Sequence, residues 1–167
     1  MYSVFYAFSG IVSKAPSSSS GGGNNHLCLS LNPDSATADD AFRNEAYITG
    51  VVYQETASEF IPAELRLQPV PCAVCEVQQR AVVMVPGSRS CGEGWRVEYE
   101  GVLMSEANAG QSSDFVCVSR DMQGLAHAER NENGEACQLH VVEAKCGTLP
   151  CPPFAQGQDV SCVVCSK

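Results

Sequence analysis

Pro71-Cys72-Ala73-Val74-Cys75 and, ninety residues later, Ser161-Cys162-Val163-Val164-Cys165 are two copies of one short phrase. Valine and alanine between the cysteines favour extended backbone, so each CxxC reads as part of a strand and not as the start of a helix. Working outward, the same offset returns. Glu45-Ala46 falls on Glu135-Ala136, Val51-Val52 on Val141-Val142 and, with a one-residue gap, Cys28 with Ser30 falls on Cys117 with Ser119. Further upstream the offset becomes ninety-one, and Val4, Tyr6, Phe8 and Gly10 fall on Trp95, Val97, Tyr99 and Gly101. Four blocks that keep their order and spacing imply a tandem duplication of a unit of about 80 to 90 residues.

The apolar and turn patterns fill in that frame. Residues 2–12, 26–31, 47–53, 70–77 and 81–85 read as strands, and 95–104, 114–119, 139–144 and 160–166 repeat the order in the second half. Gly10 is a candidate bulge. The polar stretches Lys14 to Asn25 and Ser105 to Ser113 are matching loops, Asn32-Pro33-Asp34 and residues 131–135 are turns, and Ala36 to Arg43 suits a helical turn or two. Glu55 to Gln68 is ambiguous, with Pro62 breaking any long helix. The expected fold class is therefore all-β, mainly β with long loops: a disulfide-rich, pseudo-twofold tandem duplication sharing one core. Residues 1–80 form the first repeat unit and 86–167 the second, together one compact domain of eight to eleven short strands.

Met1 to Ser13 is uncharged, but it lacks a basic leader and belongs to the repeat. It is read as a strand and not as a signal peptide, so a secreted protein would carry its targeting signal upstream. Its aromatic character makes Met1 to Val12 a candidate for pairing with a neighbouring subunit.

Ten cysteines in 167 residues suit an oxidising compartment, and Cys28, Cys72, Cys75, Cys91, Cys117, Cys137, Cys146, Cys151, Cys162 and Cys165 are all candidate disulfide residues. Cysteines three apart in a strand have Cα atoms roughly 10 Å apart, too far for a disulfide, so each CxxC cysteine needs a partner elsewhere. Cys91, Cys117, Cys162 and Cys165 make a set for two bridges in the second unit, and Cys146 and Cys151 close a small loop. The first unit has only Cys28, Cys72 and Cys75, because the counterpart of Cys91 would fall at or before Met1. One of these three is left over, as is Cys137, whose counterpart is Tyr47. These two either pair across the units or remain thiols. The second unit is thus expected to be the better stapled.

Other chemistry is weaker. The two CxxC pairs are separated by 86 residues, whereas compact zinc ribbons keep them about 15 to 20 apart, so no metal is assigned. A thioredoxin-like role needs a helix start at the CxxC and a βαβ pattern, neither of which is indicated. No GxSxG, HExxH or Gly-rich phosphate loop accompanies His26, His127 and His140. Asp34, Asp39 and Asp40 and residues 131–135 offer oxygen ligands without matching a regular calcium loop. Trp95 could stack on a sugar, but it reads first as a core or edge residue. A formal charge of −9 argues against nucleic acid or an anionic membrane as partner.

Gly22 to Leu29, Pro71 to Cys75, Cys91-Gly92-Glu93-Gly94-Trp95, Tyr99 to Met104, Phe115-Val116-Cys117-Val118, Cys146-Gly147-Thr148-Leu149-Pro150-Cys151-Pro152-Pro153-Phe154 and Ser161 to Lys167 closely resemble the C-terminal noncollagenous domain of sponge short-chain, spongin-like collagens. Similar domains occur in cnidarian and mollusc extracellular proteins. The resemblance covers almost the whole chain and implies a secreted, disulfide-bonded matrix or assembly module with no catalytic residues to carry over. Three departures stand out. The Trp-Gly-Arg and Cys-Pro segment that usually precedes the first strand is missing, Cys137 replaces an apolar residue, and no Gly-X-Y triplets precede the domain.

The expected function is a non-enzymatic, secreted extracellular structural or assembly module in a matrix or fibrous assembly. It would be oligomeric and partnered by other protein subunits or matrix components, and it would need no cofactor. The alternative is a secreted lectin-like carbohydrate- or calcium-binding domain using the two polar loops.

Overall fold

The computed structural model describes residues 5–19, 21–34, 48–54, 60–79, 81–107, 110–126, 128, 130 and 136–167. Among them the chain is nearly all β, with nine strands: β1 (Phe5–Lys14), β2 (Leu27–Ser30), β3 (Thr49–Tyr53), β4 (Pro71–Glu76), β5 (Val82–Pro86), β6 (Arg96–Ser105), β7 (Val116–Ser119), β8 (Cys137–Val141) and β9 (Ser161–Ser166). A single 3-10 turn, Ala63–Leu65, follows Pro62. The helical turn expected within Ala36 to Arg43, with Asp39 and Asp40, lies outside the described residues, as do residues 131–135 and His127.

The strands form one curled sheet of order β2-β1-β3-β8-β6-β9-β5, with β4 also on β1 and β7 also on β6. The long strands β1 and β6 organise the two halves, and their pairings correspond position by position. Gly10 lies opposite both Ser30 and Cys72, and Gly101 opposite both Ser119 and Cys162. The β1–β4 ladder shifts register between Tyr6 and Phe8, and the β6–β9 ladder between Val97 and Tyr99. The ends of the long strands turn onto β3 and β8 in the same way, Ser13 opposite Gly50 and Met104 opposite Val141. The irregularity in β1 is therefore at Tyr6/Phe8, and the bulge expected at Gly10 is not there.

Gly10 has a different task. Cys28 and Cys72 stand on the strands flanking β1, yet their disulfide brings their Cα atoms to 5.7 Å. This requires the flanking strands to fold toward each other over the middle one. A Cβ on Gly10 would lie 2.1 Å from the Leu29 carbonyl oxygen, and one on Gly101 2.1 Å from that of Val118. Only glycine admits this approach. Cys117–Cys162 repeats the arrangement over Gly101, with Cα atoms 5.8 Å apart.

The halves join where β3 and β8 run parallel, Val51 opposite Cys137 and Tyr53 opposite Leu139. The core sits at this seam. Val51, Tyr53, Ile61, Leu65 and Val70 from the first half pack with Val102, Met104, Leu139 and Val141 from the second. Burying one aliphatic side chain of this kind contributes about 1.5–3 kcal/mol. One strand crosses over: β5 follows β4 in sequence but pairs with β9, Val82 opposite Ser166 through Pro86 opposite Cys162.

Candidate functional site

The curl leaves a cleft of about 700 Å³ between the halves, walled by Val12, Ala73, Met84, Tyr99, Val118 and Val164. Its walls are held by the two disulfides that cross the long strands. The Tyr99 hydroxyl donates to the Cys117 carbonyl at 2.9 Å, and burial followed by the neighbouring Cys75 raises its pKa. The cleft had no signature in the sequence, because its walls come from strands that are far apart in the chain.

At one end of β1 and β6, the loops from Lys14 and Ser105 meet. Lys14 Nζ donates to Glu106 Oε2 at 3.1 Å, with both side chains at least 95 % removed from solvent, and Ser17 Oγ donates to the same oxygen at 2.8 Å. His26 lies close by. Burial, then the Lys14 charge, lowers its pKa against the opposing pull of Asp114 and Glu106, and its Nδ1 has no hydrogen-bond partner. Burial also lowers the pKa of His140, against the pull of Glu106. Lys14 and Glu106 thus neutralise each other and present little charge to a ligand. No pattern in the sequence singled out this pair.

The cysteines complete the site. Cys28–Cys72, Cys91–Cys165, Cys117–Cys162 and Cys146–Cys151 are bridged, one pair in the first unit and three in the second. Cys75 and Cys137, counted among the ten disulfide candidates, are corrected to thiols, the former exposed and the latter buried. The reason is geometric. Cys137 sits in the seam with its Sγ donating to the Ala15 carbonyl at 3.1 Å, while Cys75 stands out on β4 with no cysteine beside it. The repeat could have singled out Cys75: carrying Cys117–Cys162 back by the offset pairs Cys28 with Cys72.

Cys75 marks an unequal pair of strands. Cys165, its counterpart, is fully covered, as are Cys162 and Val163. On β4, residues 73–76 are all exposed. The cause is β5, which lies along β9, while β4 has no strand on its outer side among the described residues. β5 itself exposes Val82, Val83 and Met84.

The remaining candidates separate. Asp34 is exposed, and no group of three or more His, Cys, Asp or Glu among the described residues could hold a metal ion. Trp95 is half-buried under Lys167, whose Nζ lies 5.9 Å from the ring centroid. Residues 5–14, which include the described part of the terminal stretch read as a docking strand, pair with β4 over residues 5–11 and with β2 over residues 10–13. Only residues 10–13 are flanked on both sides; Phe5 to Ser9 pair with β4 alone, so the part of that stretch free to meet a neighbour is narrowed to these residues. Among the described residues no helix is long and apolar enough to cross a membrane. The fold and site define a disulfide-braced all-β protein. Comparison with models of known families, with curated proteins and with solved structures gave no match.

Proposed function

We propose that the chain is a non-enzymatic, extracellular structural module that assembles into, or attaches to, a matrix through its sheet edges. The observation that carries this reading is the bare chemistry of β4 and β5. Folded proteins usually blunt an edge strand with lysine, proline, an inward charge or a bulge, and here proline stands only at one end of each strand, Pro71 and Pro86. Here β5 is Val-Val-Met-Val-Pro, and β4 carries no charge before Glu76, although the chain has 29 charged residues to place. Four bridges favour an oxidising, extracellular setting.

Sedimentation of the oxidised chain over a wide concentration range, alone and with fibrous matrix, tests this. Reversible self-association or co-sedimentation is expected. A monodisperse monomer at high concentration that ignores matrix material contradicts the reading.

A lectin-like role is the second reading, favoured by one observation: the two polar loops named for it do come together, with the Asp114 amide also donating to the Asn24 carbonyl at 3.4 Å. Their buried ion pair faces inward, which leaves backbone and serine hydroxyls for a sugar. Glycan-array silence with and without calcium removes it.

A further inference from the structure

We propose that the outer edge of β4 is an acceptor for a β-strand from a partner polypeptide. The strand would be apolar like β5 and followed about five residues later by a cysteine that bonds to Cys75. The inference rests on the assembly reading above and names the partner's chemistry. The second half of the molecule supplies the template. There β9 is flanked by β6 on one side and by β5 on the other, Val83 lying opposite Cys165 and Val85 opposite Val163. Five residues beyond Pro86, Cys91 closes its disulfide on Cys165. In the first half β4 meets β1 in the register that β9 uses toward β6, Tyr6 opposite Cys75 as Val97 is opposite Cys165. Its other edge has no strand among the described residues, its side chains are exposed, and the cysteine at the matching position is a thiol.

A second copy of the chain cannot meet this need by donating its own β5. Each chain carries one β5 and two edges shaped for such a strand, β9 and β4, so exchange between copies leaves the shortfall unchanged. A strand donated by another polypeptide with the same pattern would meet it. Antiparallel addition would satisfy the outward backbone groups of β4 and lie beside Ala73, which lines the cleft together with Met84 of β5.

The test uses the full oxidised chain and a peptide with the sequence of residues 81–94, its cysteine presented as a mixed disulfide with glutathione. The Cys75 thiolate attacks the peptide sulfur, a new disulfide forms, and glutathione leaves as the thiol. One adduct per chain is expected, mapped to Cys75. It should form about tenfold faster than with a shuffled peptide, a difference of about 1.4 kcal/mol in activation, and bring new amide-exchange protection to residues 72–76. Cys75→Ser should abolish the adduct yet keep the protection at high peptide concentration. Equal rates with the shuffled peptide, an adduct without protection, or dominant Cys75–Cys75 dimers of the chain itself would overturn the proposal. Self-association or matrix binding that persists after any of these results leaves the assembly reading standing, so the two can fail separately.

Discussion

β4 and β9 occupy corresponding places in the sheet under two circumstances. Both carry a CxxC, both lie antiparallel to a long bent strand, and each sends its first cysteine across a glycine to a short neighbouring strand. Yet β9 is an inner strand with its second cysteine bridged, and β4 is an edge with its second cysteine free. Local sequence makes the strand, and what lies alongside decides whether it is core or surface. The difference comes from one element, β5, and from which half it joins.

The glycines under the disulfides should break both halves equally and with the largest effect. Gly10→Ala and Gly101→Ala each push a Cβ to 2.1 Å from a backbone carbonyl that cannot swing away. Each should cost about 3 kcal/mol or more, read from denaturant midpoints. A loss below about 1 kcal/mol at either site would mean that the disulfide crossings are not the constraint described.

The next effect sharpens the asymmetry. Lys14 ends β1 and its counterpart Ser105 ends β6, so the cation of the buried pair comes from the first half and its carboxylate, Glu106, from the second. Lys14→Met leaves Glu106 buried and unpaired and should destabilise by about 3–5 kcal/mol, while Lys14→Met with Glu106→Leu should recover most of that loss. Chemical denaturation of the two variants checks it, and an equally unstable double variant would show that packing, and not charge, holds the loops.

Tyr53 gives a smaller, pH-dependent contrast. Burial raises its pKa from 10.0 to about 12. A raised folded pKa means the neutral phenol stabilises the fold below pH 10 and that this contribution is lost as pH rises toward 12. The shift corresponds to about 3 kcal/mol. Tyr53→Phe should remove this alkaline decline, followed by brief denaturation scans across the window. At the acid side, His26 and His140 have lowered pKa values, so the neutral ring is the folded form. Stability is full above the ordinary value of 6.5 and is lost as pH falls through the lowered folded values. His26→Asn should flatten part of that slope, a modest change in the same assay.

Much of the architecture was legible because covalent and periodic signals are local. The CxxC phrases, the β-branched runs and the glycine offset placed most of the nine strands within a few residues. The disulfide set of the second unit followed from the impossibility of bridging within a strand. What stayed hidden depends on long-range placement. Nothing in Val82 to Pro86 says that it leaves β4 and joins β9. Lys14 and Glu106 are ordinary charges until two loops converge on them. Sequence reports the apolar character of the run at the start of β1 and not that β4 takes one of its sides and β2 only its later residues. The cleft arises from the curl, which no single segment encodes.

The account's central claim is that equivalent strands differ through cover alone, and native-state alkylation followed by intact-mass and peptide mapping tests it most directly. One thiol should be modified rapidly in the folded chain and map to Cys75, a second should react only in denaturant and map to Cys137, and the remaining eight cysteines should react only after reduction. Slow labelling of Cys75, or free thiols at Cys91 and Cys165, would contradict it, since β4 would then be covered or β5 would not be the strand that covers β9.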